Sequence, residues 1–314
     1  MKILLLSPDQ TPRYNWGHAL FRKELGRHHD VTYYGKGYPN YNPDIGVPKL
    51  IKKLGRPDII LTYGLKYTLP FKGLGKIKDI PKVHIVVDYF PPHSGGYKGS
   101  WIRQHNFFEE RKYDLFLGVV GRVVKTLESN NITDKAYLLP FCVDTNIYKK
   151  LNIPKTIDVM SSFTNRRDVY PRRKDIQKMI SNMDIKSLTK RVVHNQYIKS
   201  INASKIVITS NNIYGSLSMK YTECLACGSF LLADRPEDFD ELGYIDGKHL
   251  VLYKDLPDLK DKIRYYLKHK KERERIAKQG MKFVRENHSA EIRAKQFTKI
   301  VNEVLNMENV VKSG

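Results

Sequence analysis

Between Lys205 and Asp234 the chain gathers, around one acidic side chain, the groups that could hold a phosphorylated ligand. Glu223 lies three residues after Lys220, and both follow a loop of small polar residues that includes Gly215, Ser216 and Ser218. Ile206 to Thr209 is a β-branched run that reads as a buried parallel strand, and Phe230 to Ala233 reads as the next one. The helix between them starts near Ser216 or Ser218, both good N-caps, and stops at Gly228, which can take a left-handed turn. The unpaired N–H groups at such a helix start suit a diphosphate, and Lys220 adds a full charge. Glu223, one turn further in, is placed to accept hydrogen bonds from the ribose hydroxyls of a nucleotide held there. The competing reading is an ordinary amphipathic helix with a solvated glutamate.

The elements needed to position these groups recur along the chain. Short apolar runs at Lys2 to Leu6, Asp30 to Tyr34, Asp58 to Thr62, Val83 to Val87, Leu115 to Val119 and Ala136 to Leu139 suit parallel strands. Helical patterns at His18 to Arg27, Val47 to Leu54, Ile102 to Lys112 and Arg122 to Ser129 alternate with them, which predicts an α/β domain with right-handed crossovers. The second half repeats the theme: a strand at Ile157 to Ser161, a helix from Arg173 to Met183, a weaker strand near Ile185 or Val192, a helix around Tyr197 to Asn202, and the two strands flanking Glu223. Lys149 to Lys155 reads as a linker. A charged helical tail runs from Lys270 to Asn306, interrupted around Asn287-His288.

Lys220-Tyr-Thr-Glu223-Cys-Leu-Ala-Cys-Gly228 resembles the donor-site signature of GT-B glycosyltransferases of the group 1 type, especially the subgroup of spore-maturation protein CgeB. The likeness continues through Gly247 to Tyr253, Lys262 to Leu267 and Glu272 to Gly280. Upstream, Leu139 to Tyr148 resembles the family's approach to its interdomain linker, and Phe163 to Arg173 the first turn of its second domain. The resemblance implies two Rossmann-like doubly wound domains facing a cleft, with the C-terminal helix returning to the N-terminal domain. The acceptor would bind residues 1–150, the nucleotide sugar residues 151–290, and 291–314 would form the tail. The implied enzyme is a hexosyltransferase using a UDP-sugar in preference to a GDP-sugar, as a co-substrate and with no cofactor. One departure stands out. The family usually carries a glutamate near the donor sugar eight residues before the one matched by Glu223, and here that position is Gly215. A fold that has lost catalysis and only binds its ligand is therefore a further alternative.

Ligands of open parallel sheets bind at the carboxyl ends of the strands. Acceptor chemistry is thus expected in the long loops of the first half, where Trp16, Tyr38, Tyr41, Tyr97 and Trp101 are candidate contacts. Asp88 is the candidate general base if the reaction inverts, with His93 or His18 as the next choice. Arg166, Arg172, Arg173 and Lys220 are candidates for the diphosphate, and Asn195 and Tyr197 for the nucleotide base.

Lys and Arg number 55 against 33 Asp and Glu, a net charge of +22, and the excess divides evenly between the two halves. Such an excess predicts a polyanionic partner, DNA ahead of an anionic membrane, unless it reflects only a lysine-rich composition. DNA with a modified base and a glycolipid or surface polysaccharide precursor are accordingly the two acceptors considered. No apolar run reaches the length of a membrane span, and Met1 to Leu6 meets Ser-Pro-Asp too early for a signal peptide, so a cytoplasmic protein is expected, in the host cytoplasm if viral. Three cysteines are too few for a disulfide framework. Cys224-x-x-Cys227 lacks a second ligand pair, and Asp238-Phe-Asp240 falls in a peripheral acidic loop, so no metal is expected.

Overall fold

A computed structural model describes residues 1–9, 11, 16–64, 71–89, 98–164 and 169–306, with backbone alone at 16–18 and 98–103. The chain divides into two compact units, residues 1–140 with 293–314, and residues 141–292.

The first unit is built on β1 (Lys2–Leu6), β2 (Asp30–Tyr34), β3 (Ile59–Gly64), β4 (Lys82–Val86), β5 (Leu115–Gly118) and β6 (Ala136–Leu138). They form one sheet in the order β2-β1-β3-β4-β5-β6, every pair parallel. Helices α1 (Trp16–His28), α2 (Val47–Leu54), α3 (Lys98–Arg111) and α4 (Gly121–Ser129) connect them. The central strands β3, β4 and β5 are buried at every position, as expected of a parallel sheet covered on both faces by its crossovers.

The second unit contains β7 (Ile157–Met160), α5 (Arg173–Ser181), β8 (Ser187–Leu188), α6 (His194–Ala203), β9 (Ser204–Thr209), α7 (Met219–Ala226), β10 (Phe230–Ala233), β11 (Val251–Leu252), α8 (Leu256–Lys268) and α9 (Lys270–Asn287). Its parallel sheet has the order β11-β10-β9-β7-β8. Strand order reverses between β1 and β3 in the first unit and between β7 and β9 in the second, so each sheet has a crevice at its carboxyl edge there. The core of the second unit joins Val159, Ile206, Ile208, Phe230 and Leu232 from the sheet to Ile176, Ile180, Ile263 and Ile276 from the helices.

The weaker strand lies at neither position marked by its apolar residues. It is the two-residue β8, paired as Val159↔Ser187 and Met160↔Leu188, while Ile185 packs beneath the sheet and the Val192 N–H donates to Ser162 Oγ at 2.9 Å. The tail returns to the first unit: in α10 (Ala290–Val304) Phe297 meets Phe21 edge-on at 6.5 Å, and Thr298 Oγ1 lies 2.8 Å from His29 Nε2.

Candidate functional site

The loop entering α7 is shaped by its own short polar side chains. Asn212 Oδ1 accepts the N–H groups of Tyr214 (3.0 Å) and Ser216 (3.1 Å), an Asx-type turn that lets Gly215 take φ +66°. Ser218 occupies the N-cap position in extended conformation without a side-chain capping bond. The Ser216 and Ser218 hydroxyls are buried and have no hydrogen-bond partner among the described residues. Neither hydroxyl therefore caps the start of α7. Gly228, with φ +69°, ends the turn after α7.

One turn inside α7, Glu223 is only 8% exposed. Its carboxylate accepts hydrogen bonds from the phenols of Tyr148 and Tyr197. Lys220 Nζ donates to Tyr197 Oη at 3.0 Å and sits 4.2 Å from the centre of that ring. Burial holds Glu223 above the ordinary glutamate range, although Lys220 and the two phenols favour its charged form. Burial likewise lowers Lys220 while Glu223 opposes the shift. The two charges are a mutually compensated pair inside the protein.

At the crevice between β7 and β9, Arg173 is 3% exposed and donates to Ser210 O at 3.1 Å. Its guanidinium lies 3.3 Å from the centre of the Tyr170 ring. The Ser161 and Ser210 hydroxyls, directly after β7 and β9, are buried without partners among the described residues. Arg172 is the outward member of this pair: it donates to Lys254 O at 3.2 Å and stands 3.9 Å from Asp234. Arg173, a candidate for the diphosphate, thus braces the backbone and stacks on an aromatic ring. His194 to Tyr197 is the first turn of α6, not a loop before it, with Asn195 exposed. Tyr197 is buried and committed to the Glu223 cluster, which leaves its ring unavailable for stacking on a base.

In the first unit Asp88 follows β4, and its backbone carbonyl accepts from Gln104 Nε2 at 2.7 Å. The side chain reaches solvent, yet the protein crowded around it desolvates the carboxyl and raises its pKa to about 6. Tyr38 and Tyr41 are half-buried, their rings 5.6 Å from Tyr33 and 5.4 Å from Tyr34. Both rings thus pack on tyrosines of the fold while keeping part of their surface accessible. His93, Tyr97 and Arg166, and the side chains of Trp16, His18 and Trp101, lie outside the described residues.

Asp238 is 4% exposed, and burial raises it to about 6. Asp240 lies at the surface and pairs with Arg235 at 2.5 Å, so the two carboxylates do not share a site. Cys224 and Cys227 are buried free thiols, and burial pushes Cys224 up to about 12. Tyr148 is the member of the Glu223 cluster the sequence did not mark. It stands at the edge of the stretch read as linker, and its only signal was an aromatic residue ending the Leu139 to Tyr148 segment.

Two parallel doubly wound units, with a last helix crossing back to the first, define the GT-B architecture of nucleotide-sugar glycosyltransferases. Residues 169–299, which include the Glu223 cluster except Tyr148, match the sequence family described as glycosyl transferase-like. Among solved structures, HepE from Anabaena in complex with UDP and glucose superposes with a TM-score of 0.74 at 12% identity, covering 96% of this chain and 100% of that one. Sucrose-phosphate synthase from Thermosynechococcus elongatus gives 0.68 at 12% identity over 98% and 99% of the two chains. A glycosyltransferase from Rickettsia africae gives 0.66 at 14% identity over 98% and 99%. No curated protein matches the chain in sequence. At such identities the superpositions establish the fold. The family match and the fold together support a nucleotide-sugar-dependent glycosyltransferase.

Proposed function

We propose that the chain transfers a glycosyl group from a uridine diphosphate sugar to an acceptor hydroxyl, with the nucleotide held in the second unit. The observation that carries this reading is the start of α7, which has no side-chain cap and where buried hydroxyls of Ser216 and Ser218 lack partners among the described residues, beside the Lys220–Glu223 pair. Backbone N–H groups and Lys220 would neutralise the diphosphate as it leaves, and Glu223 would accept from the ribose hydroxyls. A carboxylate has about four lone-pair directions, so two phenols do not exhaust it. The UDP and glucose bound in HepE favour uridine over guanosine. The likeness of Lys220 to Gly228 to the CgeB subgroup adds to the same reading.

In an inverting reaction the acceptor oxygen attacks the anomeric carbon, the bond from that carbon to the diphosphate breaks, and Asp88 takes the acceptor proton. A carboxyl near 6 is ionised at neutral pH and basic enough for this step. The net charge of +22 favours a polyanionic acceptor, and a modified base in DNA is the first candidate. A lipid-linked acceptor is favoured by one feature: α2 exposes Lys49, Lys52 and Lys53 beside Leu54, which is 47% exposed. No helix of the described residues is long and apolar enough to cross a membrane. Among them no cluster of His, Cys, Asp or Glu suits a metal ion, and the proposed transfer needs none.

Incubation with a panel of radiolabelled UDP- and GDP-sugars, offering DNA containing hydroxymethylated pyrimidines, anionic liposomes and cell-wall fractions, tests both parts. Label in the DNA fraction supports the first acceptor. Label confined to lipid or polysaccharide excludes it, and no turnover of any donor removes the enzyme reading.

A further inference from the structure

Two consecutive residues of α3 grip Asp88 and Tyr89, which come just after β4. Gln104 Nε2 donates to the Asp88 carbonyl oxygen at 2.7 Å, and His105 Nδ1 lies 3.2 Å from Tyr89 Oη. Tyr89 is fully buried, and Phe108, one helical turn beyond Gln104, meets its ring edge-on at 5.3 Å. Burial, with Glu109 adding to it, raises the Tyr89 phenol to about 12, so the group stays a neutral hydroxyl. His105 Nε2 in turn stands 3.6 Å from Glu109 Oε1, one turn along the same helix. A neutral imidazole there accepts the phenol proton's hydrogen bond on Nδ1 and keeps its own proton on Nε2, facing that carboxylate.

The helix does not need these polar contacts to dock. Phe107 and Phe108 are already buried among the rings of His84, Tyr113 and Phe116. What the polar contacts add is orientation of the two residues after the strand. Through its amide, Gln104 fixes the backbone from which the exposed Asp88 carboxyl projects, and His105 holds the neighbouring side chain inward.

We propose that Gln104 and His105 are positioning residues for glycosyl transfer, holding Asp88 and Tyr89 so that the Asp88 carboxylate keeps the direction from which it takes the acceptor proton. The inference rests on the assignment of Asp88 as the base.

The test is UDP release from UDP-glucose, UDP-galactose or UDP-N-acetylglucosamine, whichever the wild type turns over with the fraction that takes label, measured across pH and paired with calorimetric titration of UDP. Gln104→Leu should lower kcat about tenfold through a loosened base. Its UDP affinity should stay within about twofold of wild type, and its melting temperature should hold. Gln104→Glu sets a second carboxylate beside Asp88 and should move the acid limb of kcat to higher pH, because like charges disfavour ionisation. Tyr89→Phe keeps the ring and loses only the hydroxyl, so a fall in kcat there carries the inference if Gln104→Leu does not fold. Wild-type kcat in folded Gln104→Leu and Tyr89→Phe overturns the positioning role and leaves Asp88 as the base. A loss of UDP affinity that matches the loss of kcat marks structural contacts only and overturns the role as well. Wild-type kcat in Asp88→Asn, or no turnover by the wild type, removes the base assignment and the inference with it.

Discussion

The two doubly wound units treat buried polar groups near their strand ends in opposite ways. In the first, the Ser7 hydroxyl accepts from Arg22 Nη1 at 2.7 Å, and the same guanidinium nitrogen reaches Pro8 O at 2.9 Å. Thr62 is tied to His84 and to Tyr113, and burial drives His84 down to about 3, a neutral ring packed among aromatics. In the second, the hydroxyls of Ser161, Thr209, Ser210, Ser216 and Ser218 are buried with no partner among the described residues. Leaving such a group unpaired costs about 1–3 kcal/mol. On the proposed reading, the hydroxyls left open along the second sheet's edge await a polar ligand, and the hydroxyls closed on each other in the first unit brace the fold. The carboxylates divide likewise: Asp88 in the first unit is open to solvent and Glu223 in the second is paired and enclosed.

The proposed function assigns catalysis to the first unit and nucleotide binding to the second, and mutations can break that assignment. Asp88→Asn should lower kcat by about 10²–10⁴-fold, the usual worth of a general base, while UDP affinity holds. Because the carboxylate is the active form, wild-type kcat should rise with pH through about 6 and level off above it, and the variant should lack that limb. A stopped-turnover assay with a UDP titration reads both; a loss of UDP affinity would place Asp88 on the donor side. Glu223→Gln should do the reverse, weakening UDP by about 3 kcal/mol, over a hundredfold, through charge-assisted bonds to the ribose. Circular dichroism must show the variant folded, since Lys220 then loses its partner.

Tyr197→Phe sharpens the same comparison with a smaller effect. One hydrogen bond to Glu223 disappears, so UDP affinity should drop about fivefold, near 1 kcal/mol. The carboxylate, less stabilised, should take up its proton at higher pH, and the pH below which UDP binding fails should move upward. An unshifted profile would make Tyr197 a packing residue only. Asp240→Ala should change least: a surface pair with Arg235 is worth about 0–1 kcal/mol, and turnover should be the same with and without a chelator.

Elements whose signal is local were legible. β1, β2, α2 and β10 begin and end where their apolar patterns do, because a strand covered on both faces and an amphipathic crossover each write their period into consecutive residues. β8 is different: two residues at a sheet edge owe their extended form to pairing with β7, and nothing in Ser187-Leu188 announces it. The same limit applies at the candidate site. Glu223 and Lys220 stand out because one helix turn relates them. Tyr148 reaches Glu223 from far upstream, a contact created by the fold and absent from any local pattern. The string Tyr170-Pro-Arg172-Arg173 announces positive charge, but only packing decides that Arg172 faces outward and Arg173 is spent on Tyr170 and Ser210.

A crystal structure of the chain soaked with UDP tests the central claim most directly. The account predicts ribose hydroxyls within hydrogen-bond distance of Glu223, and diphosphate oxygens on the backbone N–H groups at the start of α7. Nucleotide bound elsewhere, with Glu223 still enclosed by Tyr148 and Tyr197, would contradict it.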